Sequence, residues 1–208
     1  MAMARRRRGE GADGVPPPEK VRTPAEAGGY AREICLRRLA LRPHTRAELA
    51  TALRRHGIDD AVAAEVLDRY DEVGLVDDDA FARAWVSTRH HGRGLSGRAL
   101  AGELRRRGVA DETVDEALTE LDPETEEATA RALVARKLRS IRPGDRPDAT
   151  LRRLVGMLAR KGYAPGQAFR VVKEVLAEQA SEVELDLDLE VTAFLPGVDD
   201  PDERREFG

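Results

Sequence analysis

Residues 100–109 read Leu100-Ala101-Gly102-Glu103-Leu104-Arg105-Arg106-Arg107-Gly108-Val109, and their pattern occurs twice more in the chain. It comes earlier as Leu49-x-x-x-Leu53-Arg54-Arg55-His56-Gly57-Ile58, and later as Leu154-x-x-x-Leu158-Ala159-Arg160-Lys161-Gly162-Tyr163. Beyond each glycine, at the same offsets, lies an apolar pair: Val66 and Leu67, Ala117 and Leu118, Val171 and Val172. Leucines four apart share one face of a helix. Basic residues followed by glycine mark a helix C-terminus. The next residue, Ile58, Val109 or Tyr163, is expected to plug the turn before a second amphipathic helix. A further helix precedes each copy, over residues 31–41, 81–88 and 126–138. The expected fold is therefore all-α, with three tandem three-helix repeats of about fifty residues each. Such small units cannot each bury a large core, so they are expected to stack into an elongated, curved array.

Local signals agree. Thr45 with Glu48 makes a capping box before Leu49. Asp77 and Asp78 stand where an N-cap would precede Phe81, and Asp122-Pro123 opens another helix. Apolar residues recur at helical spacing in Val62, Val66, Tyr70 and Val73, and again in Phe81, Trp85 and Thr88. The same holds for Val114, Ala117, Leu118 and Leu121, for Leu151, Leu154, Val155 and Leu158, and for Phe169, Val172 and Leu176. The expected units are 29–78, 79–122 and 123–180. Residues 1–28, with Arg5 to Arg8 and Pro16-Pro17-Pro18, read as disordered. So does the acidic segment 181–208, although residues 183–191 alternate apolar and acidic at strand periodicity; the alternatives are a strand that docks on another chain or an acidic strip that covers the protein's own basic face.

Composition excludes several classes. Charged residues make up 36% of the 208 and aromatics 4%, which does not suit an all-β core. No apolar run is long enough for a membrane span, and no secretory leader is visible, so a cytoplasmic location is expected. Cys35 is the only cysteine and reads as a small buried hydrophobe. The net charge of −4 hides an asymmetry: residues 181–208 carry −8 and the remainder +4. A mildly basic body suggests an anionic partner.

No catalytic constellation emerges. Walker-type loops, GxSxG and HExxH are absent and no GxGxxG follows a strand, so an enzyme is not expected and no cofactor or small-molecule substrate is implied. His90-His91 point about 100° apart on a helix and have no third ligand, so no metal site is expected and they read as surface histidines. The informative residues are basic. Arg54 and Arg55, then Arg105, Arg106 and Arg107, then Arg160 and Lys161 occupy equivalent last turns. Part of this is explained by the helix dipole, which favours cations there by about 0.3–1 kcal/mol each. Stacked repeats could also align them into one partner-facing stripe, with weak direct DNA binding as a further expectation. Phe81 and Trp85 read as core rather than as a base-stacking platform.

The residues also carry a resemblance. Gly74-Leu75-Val76-Asp77-Asp78, leading into Phe81 and Trp85, resembles the signature turn and aromatic helix of the RecX family. Arg89, Gly94, Leu100, Glu103-Leu104 and Gly108-Val109 continue it, with Arg93 where that family usually has Lys. Arg42 to Thr45 with Glu48-Leu49 resembles its opening, and Arg160 to Tyr163 its close. The resemblance covers about residues 30–179 and implies three three-helix repeats. It makes Gly74, Asp78, Phe81, Trp85, Gly94 and Gly108 structural motif residues. It also implies a non-enzymatic regulator that binds RecA and the RecA filament on single-stranded DNA. Such binding would mostly inhibit ATP hydrolysis, strand exchange and LexA co-cleavage. Without the resemblance, a helix-turn-helix-like DNA-binding regulator or a protein-only helical adaptor fits the same pattern.

Overall fold

A computed structural model describes residues 23–141 and 146–194, and side chains as far as Ser181. Among the described residues there are nine helices and no strand. Repeat 1 holds α1 (Pro24–Leu39), α2 (Arg46–Arg55) and α3 (Asp60–Glu72). Repeat 2 holds α4 (Asp78–Arg93), α5 (Gly97–Arg106) and α6 (Asp111–Thr119). Repeat 3 holds α7 (Pro123–Leu138), α8 (Pro147–Arg160) and α9 (Pro165–Phe194). No described helix is long and apolar enough to cross a membrane.

Each repeat encloses its own apolar cluster. The six repeat leucines, Leu49, Leu53, Leu100, Leu104, Leu154 and Leu158, are all fully buried. The glycine turns are built alike. The amide of Ile58, Val109 or Tyr163 donates back to the carbonyl of Leu53, Leu104 or Leu158 at 3.1, 3.2 and 3.2 Å. The glycine amide donates to Arg54, Arg105 or Ala159 at 3.0 Å in each case. This double closure is the Schellman arrangement, and it needs a left-handed residue. Gly57, Gly108 and Gly162 supply it at φ 70°, 79° and 92°. The expected plugs at Ile58, Val109 and Tyr163 are buried.

Several expectations are corrected. α1 begins at Pro24, inside the stretch read as disordered, because Thr23 and Glu26 form a complete capping box with Pro24 at the first position. The Thr45 box is only half made. Thr45 accepts from the Glu48 amide at 3.1 Å, but the Glu48 carboxylate turns to cations instead. Val73 and Phe169 are exposed, although they share spacing with core residues. α9 continues through residues 183–191, where alternation suggested a strand or no regular structure. A lone strand leaves its backbone unpaired, whereas a helix already running from Pro165 satisfies each added group internally. Residues 1–22, 142–145 and 195–208 lie outside the described residues.

Candidate functional site

The repeats meet through one joint used twice. The residue that N-caps a middle helix docks on the glycine turn of the following repeat. Thr45 donates its hydroxyl to the Arg107 carbonyl at 2.7 Å, and the Ser96 amide donates to the Lys161 carbonyl at 3.0 Å. Both Thr45 and Ser96 are buried. A Cβ on Gly108 would lie 2.3 Å from the Ala47 Cβ, and one on Gly162 would lie 2.5 Å from the Ala99 Cβ. These glycines therefore serve close approach as well as turn geometry.

A carboxylate from the next repeat completes each joint. Asp78 accepts from the Arg46 amide at 2.9 Å, and Glu126 accepts from the Gly97 amide at 3.3 Å. Both amides belong to the first residue of a middle helix, which has no partner within its own helix. Burial raises the Asp78 carboxyl above its ordinary value, partly opposed by the Arg46 amide.

In the third repeat the corresponding position, Thr150, lies inside α8, because this helix starts a turn earlier than α2 and α5. The Thr150 amide bonds the Arg146 carbonyl at 3.1 Å.

The first joint opens into a groove. One side is apolar, a hollow of about 450 Å³ lined by Leu39, Pro43, Leu75, Phe81, Ala84 and Trp85, with Arg42 and Arg89 at its rim. The adjoining side is cationic, with Arg38, Arg42, Arg55, Arg105, Arg106 and Arg107 around Glu48. Glu48 is the hub. It accepts from Arg42 at 3.1 Å, lies 2.9 Å from His44 Nδ1, and pairs with Arg107 across the repeat boundary. Burial works against its charge, but Arg42, Arg107 and the hydrogen bond to His44 outweigh it and hold its carboxyl below the usual range. Trp85 divides the two sides. Its indole donates to Glu103 at 2.9 Å, Phe81 stacks on it, and the guanidiniums of Arg89 and Arg107 lie 4.0 and 3.9 Å from its ring centre.

The seven basic residues of the expected stripe are placed unequally. Arg55, Arg105, Arg106 and Arg107 line the groove together. Arg107 is committed to Glu48, and Arg105 to Asp111 and Asp115. Arg54 turns to Asp60 at 3.3 Å. Arg160 and Lys161 do not line this groove. Lys161 stands at the second joint, where it donates to the Arg93 carbonyl, and burial lowers its ammonium. Arg55 and Arg106 are exposed and have no ion-pair partner among the described residues, and Arg38 and Arg42 extend the cationic side. The repeat pattern passed over Arg38 and flagged Arg42 only as a motif residue, because both fall outside the repeated last turn.

The motif residues also have separate tasks. Gly74 and Gly94 adopt left-handed turns at φ 66° and 62°. A Cβ on Gly94 would press on Leu133 of repeat 3 at 2.7 Å. Phe81 is buried as expected, but Trp85 is only half-buried. His90 corrects the surface reading outright. It is 1% exposed, with Nδ1 donating to the Leu95 carbonyl at 2.9 Å and Nε2 2.8 Å from the Thr129 hydroxyl. It therefore ties repeat 2 to repeat 3, while His91 faces solvent. His44 is likewise buried, and Cys35 is buried as expected.

These features define a class: a tandem three-helix-repeat protein whose first joint carries a cation-lined groove. Comparison with known proteins narrows it. Models of the RecX first, second and third three-helix domains match residues 31–69, 77–118 and 124–172. The chain is 55% identical over 166 residues to the regulatory protein RecX of Streptomyces coelicolor, covering 80% of this chain and 88% of that one. It is 52% identical over 178 residues to that of Thermobifida fusca, covering 86% and 95%. The crystal structure of RecX from Lactobacillus salivarius superposes with a TM-score of 0.64 at 18% identity, over 73% of this chain and 97% of that one, which speaks for the fold alone. The chain belongs to the RecX family of regulatory proteins.

Proposed function

We propose that this protein binds RecA and its filament on single-stranded DNA in the cytoplasm, and mostly inhibits its ATPase, strand-exchange and coprotease activities. It does so as a binding regulator, with no chemistry, cofactor or small-molecule substrate of its own. The observation that carries this reading is the groove at the first joint, set within a chain that matches the RecX domains in all three repeats. Exposed Arg55 and Arg106 beside an apolar hollow suit an anionic nucleoprotein surface, where charge steers encounter and apolar contact holds. Arg54, Arg105 and Arg107 already pair with acids of the chain, and Arg160 and Lys161 would extend the partner-facing stripe beyond the groove.

The test is RecA ATP hydrolysis on single-stranded DNA, titrated with this protein well below one per RecA. Strong inhibition is expected. Reversing Arg55→Glu with Arg106→Glu should weaken it while leaving helix content unchanged. No inhibition by the folded wild-type protein, together with tight binding to naked duplex, would favour a DNA-binding regulator instead.

A further inference from the structure

We propose that residues 195–208 of this chain dock into the apolar hollow at the first joint and screen the cations beside it. The regulatory consequence rests on the groove being the partner-facing surface, but the docking itself does not. The hollow is open and apolar: Leu75 remains 43% exposed there, next to half-buried Trp85 and buried Phe81. Its lining carries two guanidiniums, Arg42 and Arg89, against one carboxylate, Asp77, and Arg106 lies just beyond Trp85. Such a surface fits an acidic segment with a few apolar anchors, because the anchors leave water while the carboxylates meet guanidiniums.

Residues 195–208 have that composition. Leu195, Val198 and Phe207 flank Asp199, Asp200, Asp202, Glu203 and Glu206, with only Arg204 and Arg205 opposing. The segment follows directly on α9, which ends at Phe194. Fourteen extended residues span up to about 46 Å, whereas a sixteen-residue helix such as α4 is only about 24 Å long. The segment's reach is therefore about twice the length of such a helix. Tethering also gives it a local concentration on the order of millimolar, so weak pairing suffices to keep it docked.

Trp85 is the only tryptophan in the chain and lines the hollow, so it reports occupancy directly. The experiment is acrylamide quenching of the full-length protein, compared with the variant Asp199→Asn, Asp200→Asn, Asp202→Asn and Glu203→Gln. At low salt the variant should quench about twofold more readily, since four weak charge pairs are lost. The gap should close near about 0.5 M salt, where screening is short-ranged. It should also be independent of protein concentration. Leu75→Ser should raise quenching in the wild-type background and add little in the variant. Equal quenching at low salt, or additive effects of Leu75→Ser, overturns the proposal. A gap that grows with protein concentration overturns it too, because the occupant would then be the segment of a second copy. RecA takes no part in this measurement, so its failure is separate from failure of the ATPase test.

Discussion

Gly108→Ala should destabilise the protein through the joint rather than through the turn alone. At φ 79° an L-residue bears a left-handed penalty of about 1–2 kcal/mol. The added Cβ would stand 2.3 Å from the Ala47 Cβ, where carbon atoms normally rest about 3.5–4.0 Å apart. Repeats 1 and 2 must then separate, at an overpacking cost of about 1–3 kcal/mol. The total comes to about 2–5 kcal/mol. Gly74→Ala is the internal control. It has φ 66° but nothing within 4 Å of its would-be Cβ, so only the turn penalty of about 1–2 kcal/mol applies. Ala47→Gly completes a double-mutant cycle. It costs about 1 kcal/mol of helix propensity by itself, yet it should absorb the steric part of Gly108→Ala, leaving a coupling of about 1–3 kcal/mol. Urea unfolding followed by circular dichroism measures all four corners. A cost for Gly108→Ala equal to that of Gly74→Ala, or unchanged beside Ala47→Gly, would refute the joint as described.

Other outcomes follow from named groups. The Tyr163 hydroxyl is buried without a hydrogen-bond partner among the described residues, so Tyr163→Phe should be neutral or stabilise by about 1 kcal/mol in the same urea assay; clear destabilisation would reveal a missing partner. Burial pushes the Tyr163 phenol up to about 12, so an alkaline absorbance titration should show a late tyrosinate step that Tyr163→Phe removes. Glu48 has its folded pKa depressed, so its stabilisation is present above the unfolded carboxylate value and fades as pH falls through the folded one. Glu48→Gln should accordingly flatten the acid limb of a stability-against-pH curve, and an unaltered limb would remove Glu48 from its cause. Arg107→Ala, which loses both Glu48 and the Trp85 ring, should cost about 1–2 kcal/mol. Arg54→Ala, with one exposed pair, should cost under about 0.5 kcal/mol. Equal costs measured by thermal unfolding would count against the hub.

The fold was legible because helix spacing, glycine stops and caps are local signals. The leucines at 49, 53, 100, 104, 154 and 158 needed nothing beyond their own period. The joint was not legible, because it pairs Thr45 with Arg107 and Ser96 with Lys161 across more than sixty residues. The same limit hid His90, which is buried in contact with Thr129 of the next repeat. The surroundings of the basic residues were legible only in part. Repetition flagged Arg55 and Arg106, but only packing showed that Arg54 and Arg105 turn to nearby acids and that Arg38 and Arg42 join the groove. In residues 183–191 the alternation misled, because periodicity describes side chains whereas the choice of helix was made by the backbone upstream.

The early start of α8 has a consequence for how such a chain can grow. A unit copied onto its C-terminal side would find no cap residue waiting at Thr150, since that position is already wound into a helix. The modular joint is thus present twice and withheld the third time. Building a third joint of the same kind at Thr150 would require trimming one helical turn first.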